Sequence, residues 1–285
     1  MQKIVFTNSK GQSIELSSST NFMISKLSGT GSPQVSIQTT TAPYQDGTTV
    51  EDVFLKEREI SIDGYIKGNT QKEIYERRQQ LCSIFNPKLK KGQLKYINDN
   101  GEKIIDCYPE QAPVLGEQKT KHWHEFIVTL FCANPFWLDT DYKLEEIAVW
   151  LGGATFSCKF PISFAKKGDT KKNIINLGDA LAPVEITFKG PATNPCITNL
   201  TTGEFVKVNR NLTEDDTLII NTEFGNKRVE IVDKNNNRIN VFNWIDLNST
   251  FWQLQMGDNI INYSSDNGVE PASVFLKYNN RYVGV

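Results

Sequence analysis

The sequence predicts a mainly β protein of two domains, with one α-helix confined to the first. Three observations predict this. Period-two alternation of apolar and polar residues recurs through the 285 residues. One stretch alone carries a helix-start signature followed by helical spacing. Asparagine is unevenly spread, with 7 in residues 1–150 and 19 in residues 151–285. Asn tolerates positive φ and marks tight turns, so the second half is expected to be short strands joined by many turns. A chain of this length suits about two domains, each able to bury a core. The expected division is a domain at 1–150, a connector at 151–175 and a domain at 176–285.

Taken in chain order, residues 28–34, with Ser28-Gly29-Thr30-Gly31-Ser32-Pro33, and residues 41–52 read as long loops of small polar residues. Loops of that length are uncommon in compact domains unless they have a task. Two readings stand: a mobile surface loop, or an arm that reaches a partner subunit. Val53 to Ile66 reads as strand, with Ile60, Ile62 and Ile66 opposite Glu57, Glu59, Ser61 and Asp63. Thr70-Gln71-Lys72-Glu73 is a capping-box pattern, and Ile74, Leu81 and Phe85 follow on one helical face. Asn86-Pro87 ends that helix, because proline disfavours helical geometry in the residue before it. Gln93 to Ile97 and Lys103 to Tyr108 flank Asn98-Asp99-Asn100-Gly101, a hairpin signal. In Trp123 to Cys132 the even face is apolar apart from His124, while the odd face, with Trp123, Ile127 and Phe131, is mixed. Such a strand fits a sandwich interior with a second contact outside it, from the helix or a neighbouring subunit.

The second half reads as eight or nine short strands with no helical segment. Val184, Ile186 and Phe188 alternate with polar residues. Thr201-Thr202-Gly203 and Asp233-Lys234-Asn235-Asn236-Asn237 are turns between strands. A β-sandwich of jelly-roll type is expected.

Composition excludes several functions. The 31 basic and 33 acidic side chains give a net charge of −2, and neither half departs from balance, so no basic stripe for gripping nucleic acid is expected. No apolar run approaches the ~18 residues of a membrane helix. The start of the sequence resembles neither a signal peptide nor a transit peptide, so folding in a cytosol is expected. Cys82, Cys107, Cys132, Cys158 and Cys196 are too far apart for a zinc knuckle or a CxxC pair and are read as reduced core thiols. The sequons at Asn199, Asn211, Asn248 and Asn262 are read as products of the turn composition.

Chemistry-bearing groups are few. His122 and His124 flank Trp123 and would share a strand face, but no third ligand accompanies them, so a structural role is expected. Asp139, Asp141, Glu145 and Glu146 lie near Trp137 and Trp150, the combination a sugar hydrolase would offer. The expectation is nevertheless a solvated loop. Gly29-Thr30-Gly31 and Gly152-Gly153 lack the order of nucleotide-binding motifs. Lys166-Lys167-Gly168-Asp169-Thr170-Lys171-Lys172 reads as a solvated charged connector. No catalytic, cofactor-binding or metal-ligating residue is assigned.

Ala133-Asn134-Pro135-Phe136-Trp137, directly after an apolar strand, resembles a junction found in the distal tail proteins of long-tailed phages. The order before it is similar too: a long loop, the strand Arg58 to Ile66, then the helix Glu73 to Phe85. Pro183 to Gly190, Ile197 to Glu204, Leu254 to Asn259 and Arg281-Tyr282-Val283-Gly284-Val285 extend the resemblance over nearly the whole chain. It implies an N-terminal tail-tube-like β-sandwich or barrel with one helix, and a C-terminal galectin-like jelly-roll sandwich. It also implies a structural, non-enzymatic component of the virion tail tip: a homohexameric ring joining the major tail-tube protein to the tail-tip hub. Receptor-binding proteins could attach, and DNA would pass through without specific binding. Under this reading the helix and the loops 28–34 and 41–52 are the candidates for contacts within the ring or with the tube. The charge balance suits a channel that DNA crosses without sticking. Two rivals are a carbohydrate-binding module using Trp244 or Trp252, and a wall-degrading enzyme using carboxylates near Asp139 or Glu145.

Overall fold

A computed structural model describes residues 2–116, 120, 122–148, 150–151, 166–167, 170–266 and 273–285. The chain forms two compact units, Met1–Thr140 together with Tyr282–Val285, and Asp141–Arg281. Lys143–Ala148 and Lys171–Asn176, which the sequence reading assigned to the first domain and to the connector, are both strands of the second unit. Cys158 and the Gly152-Gly153 pair lie outside the described residues.

In the first unit, β1 (Lys3–Thr7), β2 (Ser13–Ser17), β3 (Phe22–Ser28), β4 (Val35–Thr40), β5 (Thr49–Leu55) and β6 (Arg58–Lys67) precede α1 (Gln71–Ile84). After it come β7 (Gly92–Asn98), β8 (Gly101–Pro109), β9 (Val114–Leu115), β10 (Trp123–Cys132) and β11 (Trp137–Asp139). The main sheet runs β2-β1-β7-β8-β10-β6-β3, and among the described residues its end strands β2 and β3 do not pair with each other, so it is not the closed barrel that was one of the two expected forms. Among the described residues β4 and β5 pair only with each other. The tight turn of the β7–β8 hairpin has Asn98 opposite Gly101, whose φ of +127° only glycine adopts without strain.

The helix begins as the capping signature predicts: Thr70 Oγ1 accepts from the Glu73 amide at 3.3 Å. The Glu73 carboxylate reaches back past the cap and accepts from the Asn69 amide at 3.2 Å. Ile74, Leu81 and Ile84 are buried, and Phe85 stacks on Phe6 with ring centroids 4.3 Å apart. In β10 the even residues are buried, and Phe126, Val128, Leu130 and Cys132 join Ile60, Ile62 and Ile66 of β6 in one core. Each such side chain contributes about 1.5–3 kcal/mol by leaving water.

The second unit is a sandwich. One sheet orders Lys143–Ala148, Ser273–Tyr278, Ala182–Lys189, Thr217–Asn221, Arg228–Val232 and Arg238–Asn240; the other orders Lys171–Asn176, Gly257–Ser264, Cys196–Asn199 and Glu204–Lys207. Inward residues of both, including Ile186, Phe188, Ile197 and Ile261, form a single core. The helical content among the described residues of this unit is one short 3-10 turn, Phe242–Trp244.

Asparagine shapes this unit by a route other than the one inferred. Among the described residues only Asn194 and Asn236 of its asparagines take positive φ there. More of the asparagines act through their side chains. Asn199 Oδ1 accepts from the Thr201 amide at 3.0 Å and Asn221 Oδ1 from the Glu223 amide at 2.8 Å, both turn-closing bonds. Asn199 Nδ2 also donates to Asn259 Oδ1 at 3.1 Å, deep in the fold.

Candidate functional site

The residues singled out for chemistry are mostly occupied by structure. His122 Nδ1 donates to the Gly68 carbonyl at 3.1 Å, and the buried His124 gives Nε2 to the Gly116 carbonyl at 2.7 Å. Among the described residues no group of three or more His, Cys, Asp or Glu is placed to hold a metal. Asp139 pairs with Lys103 at 2.6 Å in the first unit. Burial works to lower the Lys103 pKa, but the Asp139 hydrogen bond and charge outweigh it, so the ammonium ends above its ordinary value. Glu145 pairs with Lys172 at 2.7 Å in the second unit. Lys172, read as part of a solvated connector, is thus held in an ion pair and also donates to the Glu146 carbonyl at 3.1 Å.

Two tryptophans that the rival sugar-binding readings would use are in cores. Trp137 is fully buried, and Trp252 is buried inside the sandwich, so neither ring can stack on a ligand. Trp244 is half-buried, with the Arg210 guanidinium 5.0 Å from its ring centre. The Trp150 side chain lies outside the described residues. Near the 3-10 turn, Phe242 and Phe251 stack at 5.5 Å, and Lys227 reaches both Phe251 and the exposed Phe224. Of the cysteines, Cys107 and Cys132 are buried while Cys82 and Cys196 are only half-buried, so the core-thiol reading holds for two of the four described.

The most distinctive surface lies between and within the two segments read as loops. Residues 41–52 are not one loop: 49–52 are strand, and with Val35–Thr40 they make an antiparallel arm. Its register pairs Val35 with Leu55 and Ile37 with Val53 on one face, and after a bulge that skips Glu51 it sets Val50 opposite Thr39. The other face carries Ser36, Gln38, Thr40, Asp52 and Phe54. Ile37, Val50 and Val53 are 58%, 57% and 54% exposed, and none of the arm's apolar residues belongs to either core. The Val35/Ile37/Thr39 alternation was present in the sequence, hidden by its Ser, Gln and Thr neighbours.

A second exposed apolar surface is the outer face of β10, where Trp123 and Ile127 are partly exposed, with Val114 of β9 opposite Ile127 and Tyr108 of β8 opposite Phe131 further along the strand. Tyr65 meets the Trp123 ring edge-on at 6.2 Å. A cavity of about 260 Å³ opens there, lined by Tyr65, Val114, Glu125 and Ile127 among others. The even face of the same strand is core, so the odd face is available for contact with another chain. On α1, Tyr75 is exposed and carries the Arg78 guanidinium 5.4 Å from its ring.

Comparison with known proteins accounts for this pairing of a sheet carrying an arm with a sandwich. Residues 9–132 match the family model of the phage tail protein RIFT-related domain. Residues 178–282 match that of the siphovirus-type tail component, C-terminal domain. The SPP1 Dit protein, described as a paradigm of the hub adsorption apparatus in phages infecting Gram-positive bacteria, superposes with a TM-score of 0.70 at 13% identity, over 98% of each chain. A chain of the phage P2 baseplate in its activated conformation with Ca gives a TM-score of 0.53 at 15% identity, covering 100% of this chain and 99% of that one. No curated protein matches the sequence.

The chain belongs to the phage distal tail protein family. As a distal tail protein it is a structural component of the phage tail and so of the virion. The two family matches fall one on each unit, and the arm lies within the first.

Proposed function

We propose that six copies of this distal tail protein close into a ring that joins the tail tube to the tail-tip hub, leaving a channel for DNA. The arm carries this reading: an amphipathic hairpin whose apolar face lies outside both cores of its own chain. A heterologous contact, in which one patch of a copy meets a different patch of the next, closes into a ring when the rotation permits. The arm face and the outer face of β10 make such a pair, with Val35, Ile37, Val50 and Val53 laid over Trp123 and Ile127 of a neighbouring copy. The similarity to proteins of a hub adsorption apparatus and of a baseplate supports a place at the tail tip. A net charge of −2 supports a conduit, because a strongly basic lumen would retain DNA.

The partners of such a ring are further copies of the chain, the major tail-tube protein, the tail-tip hub and receptor-binding proteins, and its role is structural, without catalysis. Mass photometry and negative-stain imaging of the purified protein, alone and with its tail-tip partner, test this. Particles of six-fold symmetry with a central hole are expected; monomers or dimers under every condition would overturn it. A second reading is favoured by the cluster of Phe224, Lys227, Phe242 and Phe251 beside Trp244: the second unit binds wall carbohydrate. Titration with host-wall polysaccharide, with binding lost on Trp244→Ala, would support it.

A further inference from the structure

We propose that Arg58 and residues 282–285 form a latch that fixes the root of the arm and sets the direction in which its apolar face meets the next copy. The inference rests on the ring reading and goes on to name the residues that position its contact. The Arg58 side chain is only 1% exposed. Its Nε donates to the Pro135 carbonyl at 2.8 Å, and Nη1 donates to the Gly29 carbonyl at 2.6 Å and also to that of Gly31. Nη2 donates to the carbonyl of Val283. The Val285 amide adds a bond to the Thr30 carbonyl at 3.1 Å. One cation thereby joins the outgoing stalk of the arm at 29–31, the returning stalk at 58, the turn at 135 and the segment at 283.

This site asks for arginine. Four carbonyls in different directions need donors spread across a planar fork, whereas a lysine presents three donors from one atom. Among the described residues no carboxylate lies at ion-pair distance from Arg58, so the guanidinium is held by carbonyl dipoles and by the Trp137 ring, 5.9 Å from its carbon. Burial lowers the Arg58 pKa, as expected where hydration is replaced by fixed dipoles. The outgoing stalk is equally constrained. Gly29 has φ +88°, and a Cβ there would sit 2.0 Å from the Glu59 carbonyl oxygen, so the stalk lies directly on the backbone of β6. An arm with a loose root would lose conformational freedom on docking, and a preorganised one avoids that cost.

The test uses the full chain, with two variants: Arg58→Lys, and residues 282–285 replaced by Gly-Ser-Gly-Ser. Amide hydrogen exchange and mass photometry across concentration are read for both. Faster exchange at 29–57 with unchanged exchange in the sandwich core, and ring assembly weakened by about tenfold or more, are expected. Wild-type exchange in the arm and wild-type assembly in a folded variant would overturn the latch. If Arg58→Lys does not fold, the 282–285 replacement decides alone. Arm exchange that depends on Arg58 in a wild-type protein that forms no ring would overturn the ring reading and leave the latch standing.

Discussion

The apolar face of the arm offers the sharpest test of assembly. Ile37 and Val53 are opposite each other on it and each keeps more than half of its surface in water. Full burial of such a side chain is worth about 1.5–3 kcal/mol, so docking gains about 1 kcal/mol from each. In the double variant Ile37→Asp and Val53→Asp that gain of about 2 kcal/mol is lost. Two carboxylates must then be desolvated at the contact, at a further cost of about 1–3 kcal/mol if each remains partly wet. The total, roughly 3–5 kcal/mol per contact, weakens each by more than about a hundredfold. Mass photometry over a wide concentration range reads this directly as loss of the ring. Because the face belongs to neither core, the melting temperature should stay within about 2 °C of wild type. Gln38→Asp, on the opposite face, is the control and should assemble normally. Rings at the wild-type concentration in the double variant would refute the docking argument. A large fall in melting temperature would refute it differently, by showing that the face is buried in its own fold.

Other expectations follow from packing and ionisation. Trp252→Ala should destabilise the second unit by about 3–5 kcal/mol in denaturant unfolding, because it empties the middle of the sandwich, whereas Trp244→Ala should cost far less. Tyr278 donates its hydroxyl to the Ile175 carbonyl at 3.1 Å, and burial followed by the Glu145 charge pushes its pKa up to about 12. An unfolded tyrosine ionises near pH 10, so the stability this raised value represents is complete below about pH 10 and lost as pH rises towards 12. Ultraviolet titration should show a late-ionising phenol that is lost in Tyr278→Phe. Cys107 is held well above its ordinary thiol value by its hydrogen bond with Cys132 and then by burial. Alkylation of the native protein near pH 8 should therefore label the half-buried Cys82 well before Cys107, read by peptide mass mapping.

The local patterns transferred well from sequence to structure. The alternation in β6 and β10, the cap at Thr70 and the Asn98–Gly101 turn each depend on residues within a few positions of one another, and each appears with the expected faces buried. The arm was half legible. Its tip and glycine-rich root stood out by composition, but its strands are short, polar on one side and unsupported by a core, so the alternation in 35–40 was weak against the surrounding Ser and Thr. Trp252 shows the opposite error. A tryptophan beside a turn offers a stacking platform or a core anchor equally well, and only packing decides between them.

Residues near in sequence thus determined the helix, its cap and the strands and turns with strong alternation, because periodicity and capping act over distances of a few residues. Tertiary structure alone decided what Arg58 does. In the sequence it is the charged first residue of a strand. In the fold it is a buried hub for carbonyls from residues 29, 31, 135 and 283. Backbone carbonyls are the same at every position, so no side-chain pattern could announce that they would converge there.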